Sequence, residues 1–114
     1  MNKNIILLDK LMDITTLRHQ VLANNLANVN TPGFQRQDVN FLDSLRGALR
    51  SGRPADISSV EAEIVKDETE PMRPDGNNVS TQREMSELAQ NELLYRVSVK
   101  AMSAELSRMK KAIA

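Results

Sequence analysis

The chain of 114 residues has no cysteine, no tryptophan and only three aromatic side chains, Phe34, Phe41 and Tyr95. Without cysteine there is no disulfide framework and no thiolate chemistry, and the compartment stays open. Three rings cannot furnish a bulky globular core. Net charge is missing too, since 15 basic residues balance 15 acidic ones. Nothing therefore calls for a nucleic-acid partner held by its phosphates. No apolar run approaches the roughly 20 residues of a membrane span, so no direct membrane insertion is expected. Ile5-Ile6-Leu7-Leu8 follows Lys3 like the start of a secretory leader, but Asp9, Lys10 and Asp13 interrupt it. A cleaved Sec-type signal is thus not expected, and any export would use a route that needs none. The length suits one domain.

Helical periodicity fills the two ends. One long helix is predicted from about Asn4 to Asn30, with Ile5, Leu8, Met12, Thr15, His19, Leu22, Leu26 and Val29 on a 3.5-residue seam. Leu7, Leu11, Ile14 and Val21 form a second stripe, and so wide an apolar face needs more than one partner. A second helix is predicted from about Thr81 to Ile113. Thr81 and Glu84 have the spacing of a capping box, and Lys110 and Lys111 suit the negative end of the helix dipole. Its seam reads Met85, Leu88, Glu92, Tyr95, Val99, Met102, Leu106, Met109 and Ile113. Antiparallel pairing with Thr31 level with Thr81 sets His19 beside Glu92 and Leu93, so the two polar seam residues would meet.

A 30-residue helix is about 45 Å long, whereas a compact domain of this length is roughly 35 Å across. The molecule must be elongated or complete its core with neighbours. The expected fold is mainly α: an elongated, antiparallel, coiled-coil-like pair of long helices, residues 1–32 and 81–114, separated by a connector, residues 33–80. In the connector, Asp38 to Leu49 is predicted as a short helix with Val39, Leu42, Leu45 and Leu49 on one side. Arg50 to Pro54 is a breaker, and Glu61 to Val65 is a weak strand candidate within the acidic run Asp56 to Glu70. Pro71 to Asn78 is turn chemistry throughout. The connector is expected to be partly disordered, or a small β and short-helix unit ordered in an assembly.

The first helix runs out in Ala23-Asn24-Asn25-Leu26-Ala27-Asn28-Val29-Asn30-Thr31-Pro32-Gly33-Phe34. Asparagine disfavours helix because its amide competes for backbone hydrogen bonds, yet Leu22, Leu26 and Val29 keep the helical rhythm. The segment is either a frayed helix end or an interface. The interface reading is favoured, with the amides bonding the turn after Pro32 and groups on adjacent subunits. Asn24 and Asn28 are an i, i+4 pair. Gly33 and Gly76 are expected to supply positive φ or close approach.

This run resembles the signature of the bacterial flagellar axial proteins, the rod and hook components. Asp75-Gly76-Asn77-Asn78-Val79, followed by Glu84-Met85 and Asn91-Glu92-Leu93-Leu94-Tyr95, is similar to the second signature of the family's proximal-rod members. Phe34 stands where tyrosine is common, and Ser80-Thr81 replaces acidic residues. The two motifs and their helices cover about two thirds of the chain. The resemblance implies a structural subunit of the hollow basal-body rod, which spans the periplasm. Its end helices would pair in the tube's inner wall. Export would run through the flagellum's own type III apparatus, without a cleaved signal. The implied partners are FliE, FlgC and FlgF-type rod subunits and further copies of the chain. A FlgC-like paralogue remains an alternative.

The remaining candidates have plainer readings. His19 is the only histidine; without a second histidine or any cysteine, a register-fixing seam residue is expected rather than a base or metal ligand. Asp56, Glu61, Glu63, Asp67, Glu68 and Glu70 lack the spacing and glycine of an EF-hand loop. They are read as a solvated acidic surface that would meet Arg46, Arg50 and Arg53 of a neighbour, each pair contributing little. No nucleophile, base and orienting group fall into order, so no catalytic, cofactor-binding or metal-binding residue is assigned. A soluble helical adapter or export chaperone has no use for the Asn-rich Thr-Pro-Gly motif, and a membrane-surface helix protein would need a basic face.

Overall fold

A computed structural model describes residues 2–113; residues 1 and 114, the outermost of the expected end segments, lie outside the described residues. In chain order the elements are α1 (Lys3–Ala27), β1 (Gln37–Asn40), α2 (Leu42–Ser51), α3 (Pro54–Ser58), β2 (Glu63–Lys66) and α4 (Thr81–Ile113). Asn2 caps α1 by accepting the Asn4 N–H at 2.8 Å. The helix stops at Ala27, short of the expected Asn30. There the Asn28 amide donates back to the Asn24 carbonyl at 2.8 Å, and Thr31 N–H turns onto the Asn28 carbonyl at 3.0 Å.

α1 and α4 run antiparallel, joined along their length by Asn25 to Glu84, Thr15 to Asn91 and Asn4 to Glu105. The molecule measures 62 × 25 × 14 Å with a radius of gyration of 17.2 Å, against about 13 Å for a compact chain of this size. The expected elongated helix pair is therefore what forms, but its register differs. Thr15 meets Asn91, whereas the expected pairing puts it opposite Val97. His19 and Glu92 consequently line one groove without a hydrogen bond between them.

The seam on α4 also differs. Its buried residues are Glu84, Asn91 and Ser98, a polar and small-residue face that lets the helices approach and hydrogen-bond. Of the expected seam, Leu88 and Met102 are half-buried, while Met85, Tyr95, Val99, Leu106, Met109 and Ile113 are exposed. On α1, Ile5, Thr15 and Leu22 are buried, Leu8, Met12, Leu26 and Val29 half-buried, and His19 exposed. The apolar core lies elsewhere. Ile14 and Val21 of the second stripe pack with Val39, Leu45, Ala48, Ile57 and Val60, so the connector covers the far side of α1.

That connector is an ordered β and short-helix unit. β1 and β2 pair antiparallel, from Gln37 opposite Lys66 to Asn40 opposite Glu63. The helix expected over Asp38 to Leu49 is split, because Asp38 to Asn40 belong to the strand. In α2 the inward residues are Leu45 and Ala48, leaving Leu42 and Leu49 exposed. Gly52 ends α2 in the left-handed region at φ 69°, and Pro54 begins α3, where its missing N–H costs nothing. β2 starts at Glu63, inside the predicted strand stretch. The capping box does not form: Ser80 caps α4, its hydroxyl accepting from Arg83 N–H at 3.3 Å and its carbonyl from Glu84 N–H at 3.0 Å. The Glu84 carboxylate is engaged inside the molecule instead.

Candidate functional site: an interlocked joint beside an open helix face

The end of α1 and the return into α4 are bound together by asparagine side chains. Asn25 is fully buried. Its Oδ1 accepts Gln37 N–H at 2.9 Å, and its Nδ2 donates to the Gln37 carbonyl at 2.7 Å and to Glu84 at 3.2 Å. One amide thus pairs like a strand partner with β1 while touching α4. Asn77, also buried, donates to the carbonyls of Asn28, Val29 and Thr31 at 2.9, 3.2 and 2.8 Å. These carbonyls lie in the turn just past the end of α1, so Asn77 ties that turn to the return into α4. Asn78 Oδ1 accepts Arg36 N–H at 2.6 Å, and its Nδ2 donates to the Asp67 carbonyl at 2.9 Å. Arg73 spans the same gap, donating to the carbonyls of Val79 and Val29.

Backbone contact completes the joint. Gly33 N–H donates to the Asp75 carbonyl at 2.8 Å. Gly33 and Gly76 sit at φ 75° and 82°, and a Cβ on Gly76 would stand 3.3 Å from Gly33 Cα. Val79 is buried just beyond. Of the first motif, Asn24, Asn30, Thr31, Pro32 and Gly33 stay exposed, while Asn28 and Phe34 are half-buried. Asn28 further accepts the Thr31 hydroxyl at 3.1 Å and donates to Asn24 Oδ1 at 3.3 Å.

Beneath the joint lies an ion cluster. The fully buried Arg36 binds Glu84 at 2.6 Å, Glu87 at 3.0 Å and Asp38 at 3.4 Å, and also Asp67. Arg18 of α1 joins Asp38 at 2.9 Å and Glu87 at 3.1 Å, and Arg83 of α4 joins Asp67 at 2.8 Å, Glu87 at 3.2 Å and Glu70 at 3.3 Å. Burial alone would push the Asp67 carboxyl up. Hydrogen bonds from Thr69 and the charges of Arg83 and Arg36 outweigh it and hold Asp67 well below the usual carboxylate range. Asp38 is lowered in the same balance, against burial, by Arg18, the Val39 N–H and Arg36. The Arg36 guanidinium is raised although burial opposes it, Glu84 being the leading cause. Such a closed set of charges holds α1, the connector and α4 together.

This corrects the reading of the acidic run. Asp67 is a half-buried partner of two arginines, and Glu70 pairs with Arg83. Arg53 meets Asp56 at 2.9 Å and Arg46 meets Asp43 at 3.7 Å, both within the chain. The periodicity-based reading missed Arg18, Arg36, Arg73 and Arg83, since isolated arginines carry no pattern. No local signal pointed to them, because the expected seam set Met85 and Leu88, not Glu84, on the inward face of α4.

Beside the joint, α4 carries nine exposed large hydrophobic residues among those described: Met85, Leu93, Leu94, Tyr95, Val97, Val99, Leu106, Met109 and Ile113. No helix is long and apolar enough to cross a membrane, and no group of three metal-ligating side chains occurs among the described residues. A thin helix pair locked at one end, with an open apolar side, is the build of a subunit for a larger helical assembly.

Comparison with known proteins names that assembly. Residues 17–35 match the family model described as "Flagella basal body rod protein". The flagellar basal body rod protein FlgB of Aquifex aeolicus is 30% identical over 115 residues, covering 97% of this chain and 93% of its own. FlgB of Bacillus subtilis is 30% identical over 112 residues, covering 90% and 87%, and FlgB of Escherichia coli 30% over 115 residues, covering 86% and 83%. The chain belongs to the FlgB family of flagellar basal body rod proteins, and is a structural subunit of the proximal rod. That family is structural rather than enzymatic, its place is the flagellar basal body, and it assembles there with other flagellar components.

Proposed function

We propose that the joint acts as a brace. It fixes α1 against α4 at one end, so that the outer faces of both helices meet neighbouring subunits in the rod wall. The carrying observation is the exposed apolar stripe of α4, since soluble monomers rarely leave a large contiguous apolar patch uncovered. The assembly contacts comprise Met85, Tyr95, Val99, Leu106 and Met109 on α4, with Asn24, Asn30, Thr31 and Pro32 at the turn. Buried Asn25, Asn77 and Asn78 act within the subunit. The partners are FliE, FlgC and FlgF-type rod subunits and further copies of the chain, reached after export through the flagellum's type III apparatus. A helical tube needs heterologous contacts, in which different faces of one subunit meet its neighbours.

The test uses the absence of native cysteine. Tyr95→Cys and Asn24→Cys, introduced singly and crosslinked in isolated basal bodies, should each join the chain to rod proteins. Recovery of the chain only in soluble complexes, never in basal bodies, would overturn the reading in favour of an adapter.

A further inference from the structure

Midway along the helix pair, an open groove of about 390 Å³ is lined by Thr15, Thr16, His19, Asn91, Glu92 and Tyr95. One buried acceptor there lacks a donor, and one exposed carboxylate oxygen stands open. Asn91 is 2% exposed, its Nδ2 donates to the Thr15 carbonyl at 2.8 Å, and its Oδ1 is a buried side-chain oxygen without a hydrogen-bond partner. Buried polar atoms are nearly always satisfied, so an orphan of this kind marks a place where something is missing. Glu92 engages Arg96 through Oε1 at 2.7 Å, which leaves Oε2 able to accept.

The far end of α4 presents the complement. Asn4 of α1 reaches Glu105, so the last turns of α4 run past the start of α1. Leu106, Met109, Lys110 and Ile113 follow the i, i+3, i+4, i+7 spacing of one helix face. Leu106, Met109 and Ile113 are 52%, 40% and 83% exposed. This face is apolar with a single ammonium at its centre, whereas the groove is a largely apolar trough with acceptors at its centre. The two cannot meet within one molecule. Glu92 and Lys110 lie on the same continuous helix, about 27 Å apart at about 1.5 Å per residue.

Resting on the rod-subunit reading above, we infer that the terminal face of α4 in one copy docks into the α1–α4 groove of a second copy, with Lys110 paired to Glu92. The contact is heterologous, joining two different patches, so it propagates from copy to copy rather than closing a dimer. Leu106, Met109 and Ile113 bury against Tyr95 and the Thr16 methyl, and the ammonium donates to the open Oε2 of Glu92.

Cysteine pairing tests it on the full-length chain. An equal mixture of E92C and K110C should oxidise chiefly to the mixed disulfide, and the E92C/K110C double variant should give a ladder of linked oligomers. Glu92→Lys and Lys110→Glu should each weaken self-association, measured by sedimentation velocity, by roughly fivefold; combining them should restore it. Like-with-like disulfides in equal yield, crosslinks of K110C only to a different rod protein, or the absence of the mixed disulfide in both concentrated protein and isolated basal bodies would each overturn it. If the variants are still recovered in basal bodies, the rod role stands and only the docking pair fails. Their absence from basal bodies, with circular dichroism unchanged, would take the assembly reading down as well.

Discussion

Gly76 and Asn77 close the joint by different physics, and substitution separates them. At Gly76 the limit is steric: its φ of 82° is costly for any side chain, and a Cβ would press on Gly33 Cα at 3.3 Å. Gly76→Ala should therefore lower stability by about 1–3 kcal/mol, read as a shift in the urea midpoint. Gly47 is the control. It lies inside α2, and a methyl group added there would meet nothing within 4 Å, so Gly47→Ala should raise stability by about 0.5–1 kcal/mol. At Asn77 the limit is hydrogen bonding. Asn77→Ala removes the donor to the carbonyls of Asn28, Val29 and Thr31, each of which keeps another partner, and leaves the buried Val79 N–H without its acceptor, which costs about 1–3 kcal/mol. Its signature should be early hydrogen exchange at residues 25–31, with the middle of α4 still protected.

Between elements, charge takes over, because Arg36 of the connector is the hub that α1 and α4 both reach. Arg36→Met strands the buried Glu84 among other carboxylates and should destabilise by about 3–5 kcal/mol. The acid response follows from Asp67 and Asp38. Their folded-state values lie below the ordinary one, which is about 3.9 in an unfolded chain. Ionised, they favour the fold; the stabilisation is complete above that unfolded value and drains away as pH falls from about 4 through the folded values. Thermal melting should thus be nearly flat from pH 7 to 5 and fall steeply below 4, and Asp67→Asn should flatten that fall. None of this cluster follows from periodicity. The two long helices, the turn residues and the breaker at Gly52 and Pro54 were readable, since apolar spacing and backbone chemistry are local. Which face of α4 turns inward was not. Asn91, Ser98 and Glu84 are poor core residues by composition; Arg36 opposite Glu84 and the Thr15 carbonyl opposite Asn91, brought from distant positions, make that face the inner one. Ser98 satisfies its hydroxyl on the Leu94 carbonyl of its own helix.

The whole molecule is a blade 62 Å long and 14 Å thin, and its thinness decides what its apolar residues do. The connector covers one side of α1 with Ile14 and Val21 in the core, but among the described residues nothing covers the outer side of α4. A charge should therefore act differently on the two sides. Ile14 is 2% exposed, so Ile14→Asp buries an unpaired carboxylate and should unfold the subunit. Val97 is 55% exposed, so Val97→Asp should leave the helical circular dichroism and melting temperature of the isolated chain nearly as they were, within about 0.5 kcal/mol. In cells, the same substitution should prevent incorporation into the rod, measured by immunoblotting of purified basal bodies and by loss of swimming. A Val97→Asp chain that folds and also enters basal bodies at the normal level would show that the outer face of α4 looks into the rod's lumen or solvent, and would move the subunit contacts to the turn at Asn24–Pro32 and the open side of the connector.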